Sequence, residues 1–250
     1  MNQEVKDIDR ALLTACQNFD SANVEYLLAE GADPNCFDPK DYWRTPLRSV
    51  VYHYSDHPSL HDGEYALVRA LVIAGAAIKT ELVPYDRGID SEPVWTTSLH
   101  TAAERGQIEL LCMLVESPGG SEALAYFTAM DQTPLAVAAK AGNAAAVQYL
   151  LEEGSDPNLH APYCFAEGWC HDLPLHDAVC SGDIETVFKL LDAGADPLGY
   201  GWMGVTPLDR ADDSGDSRII RLVESYVRPQ SLLAERAAKR RLRRPERSDP

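Results

Sequence analysis

The sequence contains neither a long apolar run nor a recognisable catalytic motif. No stretch of eighteen apolar residues occurs in the 250-residue chain, so we expect no membrane-spanning helix. The phosphate-binding GxxxxGK[ST] loop, the His-Glu-x-x-His zinc pair, the Gly-x-Ser-x-Gly elbow and the dinucleotide glycine fingerprint are all absent. These absences predict a protein that is not an enzyme and that uses no cofactor.

Basic residues are scarce in most of the chain. There are 22 Lys and Arg against 39 Asp and Glu, which gives a formal net charge of −17. Residues 1–227 carry −22, whereas the tail from Arg228 to Pro250 carries +5. An acidic body repels nucleic-acid phosphates and attracts cationic surfaces. The charge therefore predicts either a basic protein partner or an acidic surface that serves only solubility.

Cysteine is also sparse, with six residues at positions 16, 36, 112, 164, 170 and 180. Six are too few for a disulfide-stapled scaffold of this length, and the first seven residues contain no apolar secretory stretch. Cys16, Cys112 and Cys180 take small-residue positions in predicted helices, so we expect buried thiols there. This composition favours a cytoplasmic location.

What the sequence does contain is a recurring Thr-Pro-Leu pattern. Copies or near copies begin at Thr45, Thr97, Thr133, Leu173 and Thr206, with spacings of 52, 36, 40 and 33 residues. A threonine hydroxyl accepts hydrogen bonds at a helix start, and proline fits the first helical position. Each copy therefore predicts the start of a helix, and the recurrence predicts an all-α array of stacked repeats.

The unit from Thr133 to Asn158 shows the pattern most fully. A first helix begins at Thr133 and ends near Gly142, and a second helix ends near Gly154 before a turn-forming Ser-Asp-Pro-Asn segment. Alanines on the first helix allow a neighbouring unit to approach closely. Such a helical hairpin cannot bury its apolar face alone, so it requires neighbours.

These residues resemble the ankyrin-repeat family, which has a period near 33 and a Thr-Pro-Leu-His-x-Ala pattern. The fifth unit, which contains His176 and ends in Gly-Ala-Asp-Pro, matches about as well as the fourth. The resemblance covers roughly residues 7–227. It implies a solenoid of about six helix–turn–helix repeats with projecting β-hairpin or loop fingers.

The same matches divide the chain into repeats. The predicted segments are an N-terminal capping repeat at 1–36, a second repeat with an inserted loop at 37–79, a third at 80–120, a fourth at 121–158, a fifth with an enlarged finger at 159–198, a C-terminal capping repeat at 199–227 and a basic tail at 228–250. The first and last units match the pattern weakly, as expected of caps whose outer faces meet water.

The resemblance implies that the fingers and first helices form a concave partner-binding face. All four tryptophans lie in predicted fingers, and Trp43 and Trp95 stand where the family usually has glycine. The predicted site comprises Tyr42, Trp43, Tyr85, Trp95, Tyr163, Phe165, Trp169, Tyr200 and Trp202, with the acidic residues Asp38, Asp41, Asp86, Asp90, Glu92 and Glu167. Asp172 follows Glu167 in the same acidic series. Aromatic rings beside carboxylates suit Arg- or Lys-rich partners, although neighbouring fingers can instead pack their rings together.

Two histidine-containing segments raise the question of metal binding. His160, Cys164, Cys170, His171 and His176 fall within seventeen residues, but five residues separate the two cysteines. In the family, the histidine at the position of His176 hydrogen-bonds within the stack. His53, His57 and His61 flank Pro58 in the inserted loop. We predict no metal site in either segment; a metal-binding or catalytic role for these loops is the rival hypothesis.

The leading functional hypothesis is a non-enzymatic module whose acidic, aromatic face binds a cationic protein. A specific form is an inhibitor or immunity-type protein that blocks a basic toxin or nuclease. The alternative is an adaptor or scaffold subunit targeted by its basic tail. That tail, residues 231–244, is helix-prone and ends in a basic cluster. It fits a nuclear localisation signal, a contact with an anionic membrane or nucleic acid, an arm folding back on the acidic body, or a solvated extension.

Overall fold

The computed structural model describes residues 6–37, 45–52, 62–78, 97–128, 132–160 and 172–227, and these residues contain helices but no strand. The first helices of the successive pairs are α1 (Asp7–Gln17), α3 (Pro46–Tyr52), α5 (Ser98–Arg105), α8 (Pro134–Lys140), α10 (Pro174–Ser181) and α12 (Pro207–Ser214). The second helices are α2 (Ser21–Ala29), α4 (Asp62–Ile73), α6 (Ile108–Val115), α9 (Ala144–Glu152), α11 (Ile184–Asp192) and α13 (Ser217–Tyr226). A short α7 (Gly120–Ala123) follows α6.

The helices stack as two layers. First helices contact one another in the order α1, α3, α5, α8, α10, α12, and second helices do so in the order α2, α4, α6, α9, α11, α13. Each first helix also contacts the second helix of its own pair. The result is a solenoid in which each pair is stabilised by its neighbours, so the predicted all-α repeat architecture is confirmed.

The threonines of the recurring pattern do cap helices. The Oγ1 atoms of Thr45, Thr133 and Thr206 accept the backbone N–H three residues later at 3.2, 3.2 and 3.1 Å. Leu173 has no hydroxyl, and its own N–H instead donates to Nδ1 of His176 at 3.0 Å. Helix starts are therefore stabilised even where the threonine is missing.

The hydrophobic core is built from the same positions in successive repeats. The pattern leucine of each repeat is almost fully buried, as is the alanine three positions later in five repeats. The leucines are Leu12, Leu47, Leu99, Leu135, Leu175 and Leu208, and the alanines are Ala15, Ala102, Ala138, Ala178 and Ala211. Small side chains in this row allow adjacent first helices to approach closely, as predicted from the fourth unit.

The first repeat departs from the pattern at the end of α1. Four other first helices are followed by a glycine with φ between 67° and 77°, and Phe19 takes the equivalent place with φ 55°. A left-handed backbone costs a non-glycine residue about 1–2 kcal/mol. The Phe19 side chain packs against the hydrophobic core, which offsets part of that cost.

The described parts of the fingers are turns. At one finger base, the Thr128 N–H donates to the Gln132 carbonyl at 2.9 Å. In the finger before α12, the Gly201 N–H donates to the Val205 carbonyl at 2.9 Å across a 3₁₀ turn at Trp202–Gly204. These segments have the loop form of the predicted fingers rather than the β-hairpin form.

The prediction of three buried thiols is correct only for Cys16. Cys16 is fully buried, and burial raises its thiol pKa to about 12. Cys112 is half-buried and Cys180 is exposed. Cys180 lies three residues beyond Asp177 on α10, and the equivalent positions in neighbouring repeats hold exposed charged residues: Glu104, Lys140 and Asp213. The small size of the cysteine was therefore a poor guide to burial. In the described ranges, no helix is long and apolar enough to cross a membrane.

Candidate partner-binding face

Two of the predicted binding residues, Tyr200 and Trp202, lie in the described part of the chain. The others fall outside it: Tyr42, Trp43, Tyr85, Trp95, Tyr163, Phe165, Trp169, Asp38, Asp41, Asp86, Asp90, Glu92 and Glu167. The structure therefore shows the geometry of one predicted finger, which joins the fifth helix pair to the sixth.

This segment, residues 199–205, is named the aromatic finger. Tyr200, Trp202 and Met203 are 70%, 41% and 66% exposed, although they are large apolar side chains. Met203 has a φ of 60°, which a non-glycine residue adopts only when surrounding contacts hold it. The finger therefore presents apolar side chains to solvent from a defined backbone conformation.

The backbone of the finger rests directly on the fifth repeat. A Cβ added at Gly201 would lie 2.5 Å from Asp172 Oδ1 and 2.8 Å from the His176 ring, so only glycine fits this close approach. Nε2 of His176 donates to the Val205 carbonyl at 2.9 Å. Contacts from the fifth repeat thus hold the finger at Gly201, near its start, and at Val205, at its end.

Asp172 makes two further contacts to this junction. Its Oδ1 accepts the Trp202 N–H at 2.9 Å, and its Oδ2 accepts from Arg210 on α12 at 3.0 Å. The sequence placed Asp172 among acids that would face a cationic partner. The structure corrects that interpretation because its carboxylate is engaged within the chain by a backbone N–H and by a guanidinium.

His176 and His100 act as bridges between repeats. In each, Nδ1 accepts the backbone N–H three residues earlier, at Leu173 and at Thr97 respectively, and Nε2 donates to a finger carbonyl, at Val205 and at Tyr126. Both rings must be neutral to make these bonds. Burial lowers the pKa of His100 to about 4 and also lowers the pKa of His176. The predicted structural role of His176 is confirmed.

A second buried carboxylate lies next to His176 on α10. Oδ2 of Asp177 accepts from Nε2 of Gln132 at 3.0 Å, which joins the fifth repeat to the base of the preceding finger. Burial raises the Asp177 pKa to about 6, although the Gln132 hydrogen bond opposes this shift. Sequence reasoning missed Asp177 and Arg210. Both residues could have been identified by aligning the repeats. Each occupies the position directly after the pattern histidine or after the residue that replaces it.

The described residues contain no group of three or more His, Cys, Asp or Glu side chains arranged to hold a metal ion. Cys164, Cys170 and His171 of the potential ligand cluster lie outside the described ranges, as do His53, His57 and His61. Of that cluster, His176 uses both ring nitrogens in hydrogen bonds to the backbone.

Helix pairs stacked in two layers define a helical-repeat protein. The family described as "Ankyrin repeats (3 copies)" matches residues 59–161 and 99–201, which together exceed half of the chain. The chain therefore belongs to the ankyrin-repeat family. Ankyrin repeats are protein–protein interaction modules that are generally not catalytic, so a protein partner is implied.

Individual relatives agree with this assignment. The chain is 32% identical to the mouse cyclin-dependent kinase 4 inhibitor B over 127 residues, covering 51% of this chain and 90% of that protein. It is 31% identical to the bovine mitochondrial disaggregase over 138 residues, covering 44% of this chain and 20% of that protein. The human disaggregase is 28% identical over 233 residues, covering 93% of this chain and 29% of that protein. This chain thus spans less than a third of either disaggregase.

A solved structure shows the same fold. An ankyrin repeat domain from Acinetobacter baumannii AYE superposes with a TM-score of 0.68 and covers 86% of this chain and 96% of its own. The sequence identity is 20%, so this similarity concerns the fold alone.

Proposed function

We propose that this chain binds a cationic protein through its fingers and first helices, and that binding inhibits that protein. The observation that carries the proposal is the aromatic finger, which exposes Tyr200 and Trp202 while hydrogen bonds hold its backbone. Exposed aromatic residues on a preorganised segment bind with a small loss of conformational entropy. They are therefore well suited to anchor a partner.

The charge of the body supports a cationic partner. Residues 1–227 carry −22, and this charge produces a field that attracts basic proteins over long distances. The same field disfavours nucleic acid as a ligand of the body. Within the proposal, the body provides attraction and orientation, and the finger residues provide short-range contacts.

The inhibitory form of the proposal is supported by one relative. The mouse cyclin-dependent kinase 4 inhibitor B is named as an inhibitor, and its similarity to this chain extends over 90% of its length. A repeat array of this size can inhibit by covering a functional surface of its partner, without chemistry of its own. We include a cytoplasmic location in the proposal, as expected from the composition.

A selection from random displayed peptides tests the proposal without knowledge of the partner. The immobilised chain is expected to enrich peptides of net positive charge, and their binding should weaken between 50 and 500 mM salt, a range over which the Debye length falls from roughly 14 to 4 Å. The Tyr200→Ala/Trp202→Ala variant should bind these peptides less tightly. Tyr26→Ala, which removes an exposed aromatic from α2, is the matched control. Enrichment of neutral or acidic peptides would contradict the proposal.

A further inference from the structure

We infer that the aromatic finger receives an apolar side chain of the partner rather than a cation, and that Asp172 is the residue that positions the finger for this contact. The inference rests on the proposed function and specifies the chemistry of the partner at one end of the binding face. Its basis is the pairing of Asp172 with Arg210 and with the Trp202 backbone.

The Asp172 carboxylate at this junction is already paired. Asp172 and Arg210 form an ion pair at 3.0 Å, with both side chains about 70% buried. A carboxylate paired with a guanidinium offers little net attraction to a Lys or Arg of the partner. The finger therefore differs from the acidic body as a whole, which attracts cations over long distances.

The side chains that the finger exposes are apolar and lie within four residues of one another. Tyr200, Trp202 and Met203 are all exposed, and the methionine side chain can adjust its shape to an incoming group. An apolar side chain of the partner would remove these surfaces from water, which is the main favourable contribution to burial. Among the described residues, the composition of the finger thus fits a leucine-like or aromatic group.

Asp172 holds the finger in two ways. Its Oδ1 accepts the Trp202 N–H and so fixes the backbone at the centre of the turn, while Oδ2 binds Arg210 and so ties the carboxylate to α12. Gly201 passes directly over Asp172 and His176, where no side chain fits. Removal of the Asp172 carboxylate would release the turn while leaving the exposed rings chemically unchanged. Asp172 thus acts through Trp202 and is a positioning residue.

Two fluorescent dodecapeptides of equal charge test the partner chemistry. One alternates arginine and glycine, and in the other three glycines are replaced by leucine. The leucine form should bind wild type about tenfold more tightly. Trp202→Ala/Met203→Ala and Asp172→Ala should abolish this advantage, so that each variant binds the two peptides with equal affinity. Asp172→Asn retains an oxygen that can accept the Trp202 N–H, so it should restore most of the advantage.

The possible outcomes separate the inference from the proposed function. Equal binding of both peptides, or an advantage that survives these variants, overturns the inference while still supporting a cationic partner. An equal loss of affinity for both peptides in Trp202→Ala/Met203→Ala would mean that the finger stacks on cations, which also overturns it. Failure of both peptides to bind contradicts the proposed function and the finger contact together.

The positioning role is tested independently in the free protein. In a Trp43→Phe/Trp95→Phe/Trp169→Phe background, Trp202 is the only tryptophan, and its time-resolved fluorescence anisotropy reports finger motion. Asp172→Ala should add a nanosecond decay component that Asp172→Asn largely lacks, with thermal melting confirming that each variant folds. An unchanged decay in Asp172→Ala would show that Asp172 does not position the finger.

Discussion

The two junctions of the fifth repeat are built differently. Towards the fourth repeat, the Asn158 side chain donates to the Gly194 carbonyl at 2.9 Å and accepts the Asp196 N–H at 2.8 Å. Towards the sixth repeat, Leu198 occupies the position equivalent to Asn158 and offers no amide group. There, His176 and Asp172 bind the aromatic finger instead.

The first of these junctions recurs elsewhere in the array. Asn35 donates to the Gly75 carbonyl at 3.0 Å and accepts the Ala77 N–H at 2.8 Å, in the same geometry as Asn158. The junction with Asp172, Arg210 and Gly201 is described at one place in the chain. The asparagine junctions, which recur, therefore set the register of the stack. The junction with Asp172, Arg210 and Gly201 instead fixes the aromatic finger, a segment available for binding.

Gly201→Val should produce the largest change. The valine side chain would overlap Asp172 and His176, so the finger would have to leave the fifth repeat. Overpacking of this kind costs up to about 3 kcal/mol of unfolding free energy. Urea unfolding followed by circular dichroism measures the loss. Tyr200→Val, at the exposed neighbouring position, is the control and should unfold near wild type. An unchanged midpoint for Gly201→Val would contradict the close packing of the finger.

Acidification should weaken the junctions bridged by His100 and His176. Their folded-state pKa values lie below the usual value near 6.5, so this stability is complete above about pH 6.5 and decreases towards pH 4. For His100, the loss between pH 7.5 and 5 is about 2 kcal/mol. Asp177 acts oppositely because burial raises its pKa to about 6 in the folded state, which favours folding as the pH falls.

Urea unfolding at pH 7.5 and pH 5 should therefore be measured in the Asp177→Asn variant, in which the opposing titration of Asp177 is absent. Hydrogen exchange should show greater opening of the segments near Tyr126 and Val205 at pH 5, after correction for the intrinsic exchange rate. The fourth repeat has Ala136 in place of the histidine, so the Asn158 bridge should be unaffected. Equal weakening at the Asn158 junction would argue against the histidine bridges as the cause.

Asn158→Ala should have a smaller effect because its hydrogen bonds lie at an exposed site. Loss of the two bonds to Gly194 and Asp196 is expected to cost about 1 kcal/mol of unfolding free energy. Chemical unfolding measures this cost, and Asn35→Ala should cost at least as much because its bonds to Gly75 and Ala77 are partly buried. No loss in either variant would show that these bridges do not stabilise the stack.

Tyr200→Ala should have the smallest effect on stability, within about 0.5 kcal/mol, because the side chain is 70% exposed. The same variant should bind the cationic peptides less tightly. Unfolding and peptide titration on one preparation separate the two effects, with Tyr26→Ala unaffected in both. A large loss of stability with unchanged binding would assign Tyr200 to the fold rather than to the partner-binding face.

Much of the fold follows from the sequence because the repeat period specifies local chemistry. The threonine caps, the buried pattern leucines and the small alanines were all identifiable from residue type and spacing. The exposure of Cys180 was not, because residue size alone does not report which face of a first helix a position occupies. Comparison with Glu104, Lys140 and Asp213 at equivalent positions would have predicted it.

The candidate site was less predictable for a physical reason. Tyr200 and Trp202 stand out by composition, but the Asp172–Arg210 pair joins residues 38 positions apart on different repeats. Whether a carboxylate faces a partner or a neighbouring guanidinium depends on how the repeats are stacked. The sequence therefore indicated which residue types gather near the finger, and the structure was needed to show that one of the acids is neutralised internally.

Hydrogen exchange with and without a selected cationic peptide shows which surface of the chain binds the partner. If the fingers and first helices bind the partner, the peptide should protect residues 198–206 and helices α10 and α12. The outer faces of α9 and α11 should exchange unchanged. Protection confined to those second helices, with no change at the aromatic finger, would contradict binding through the fingers and first helices.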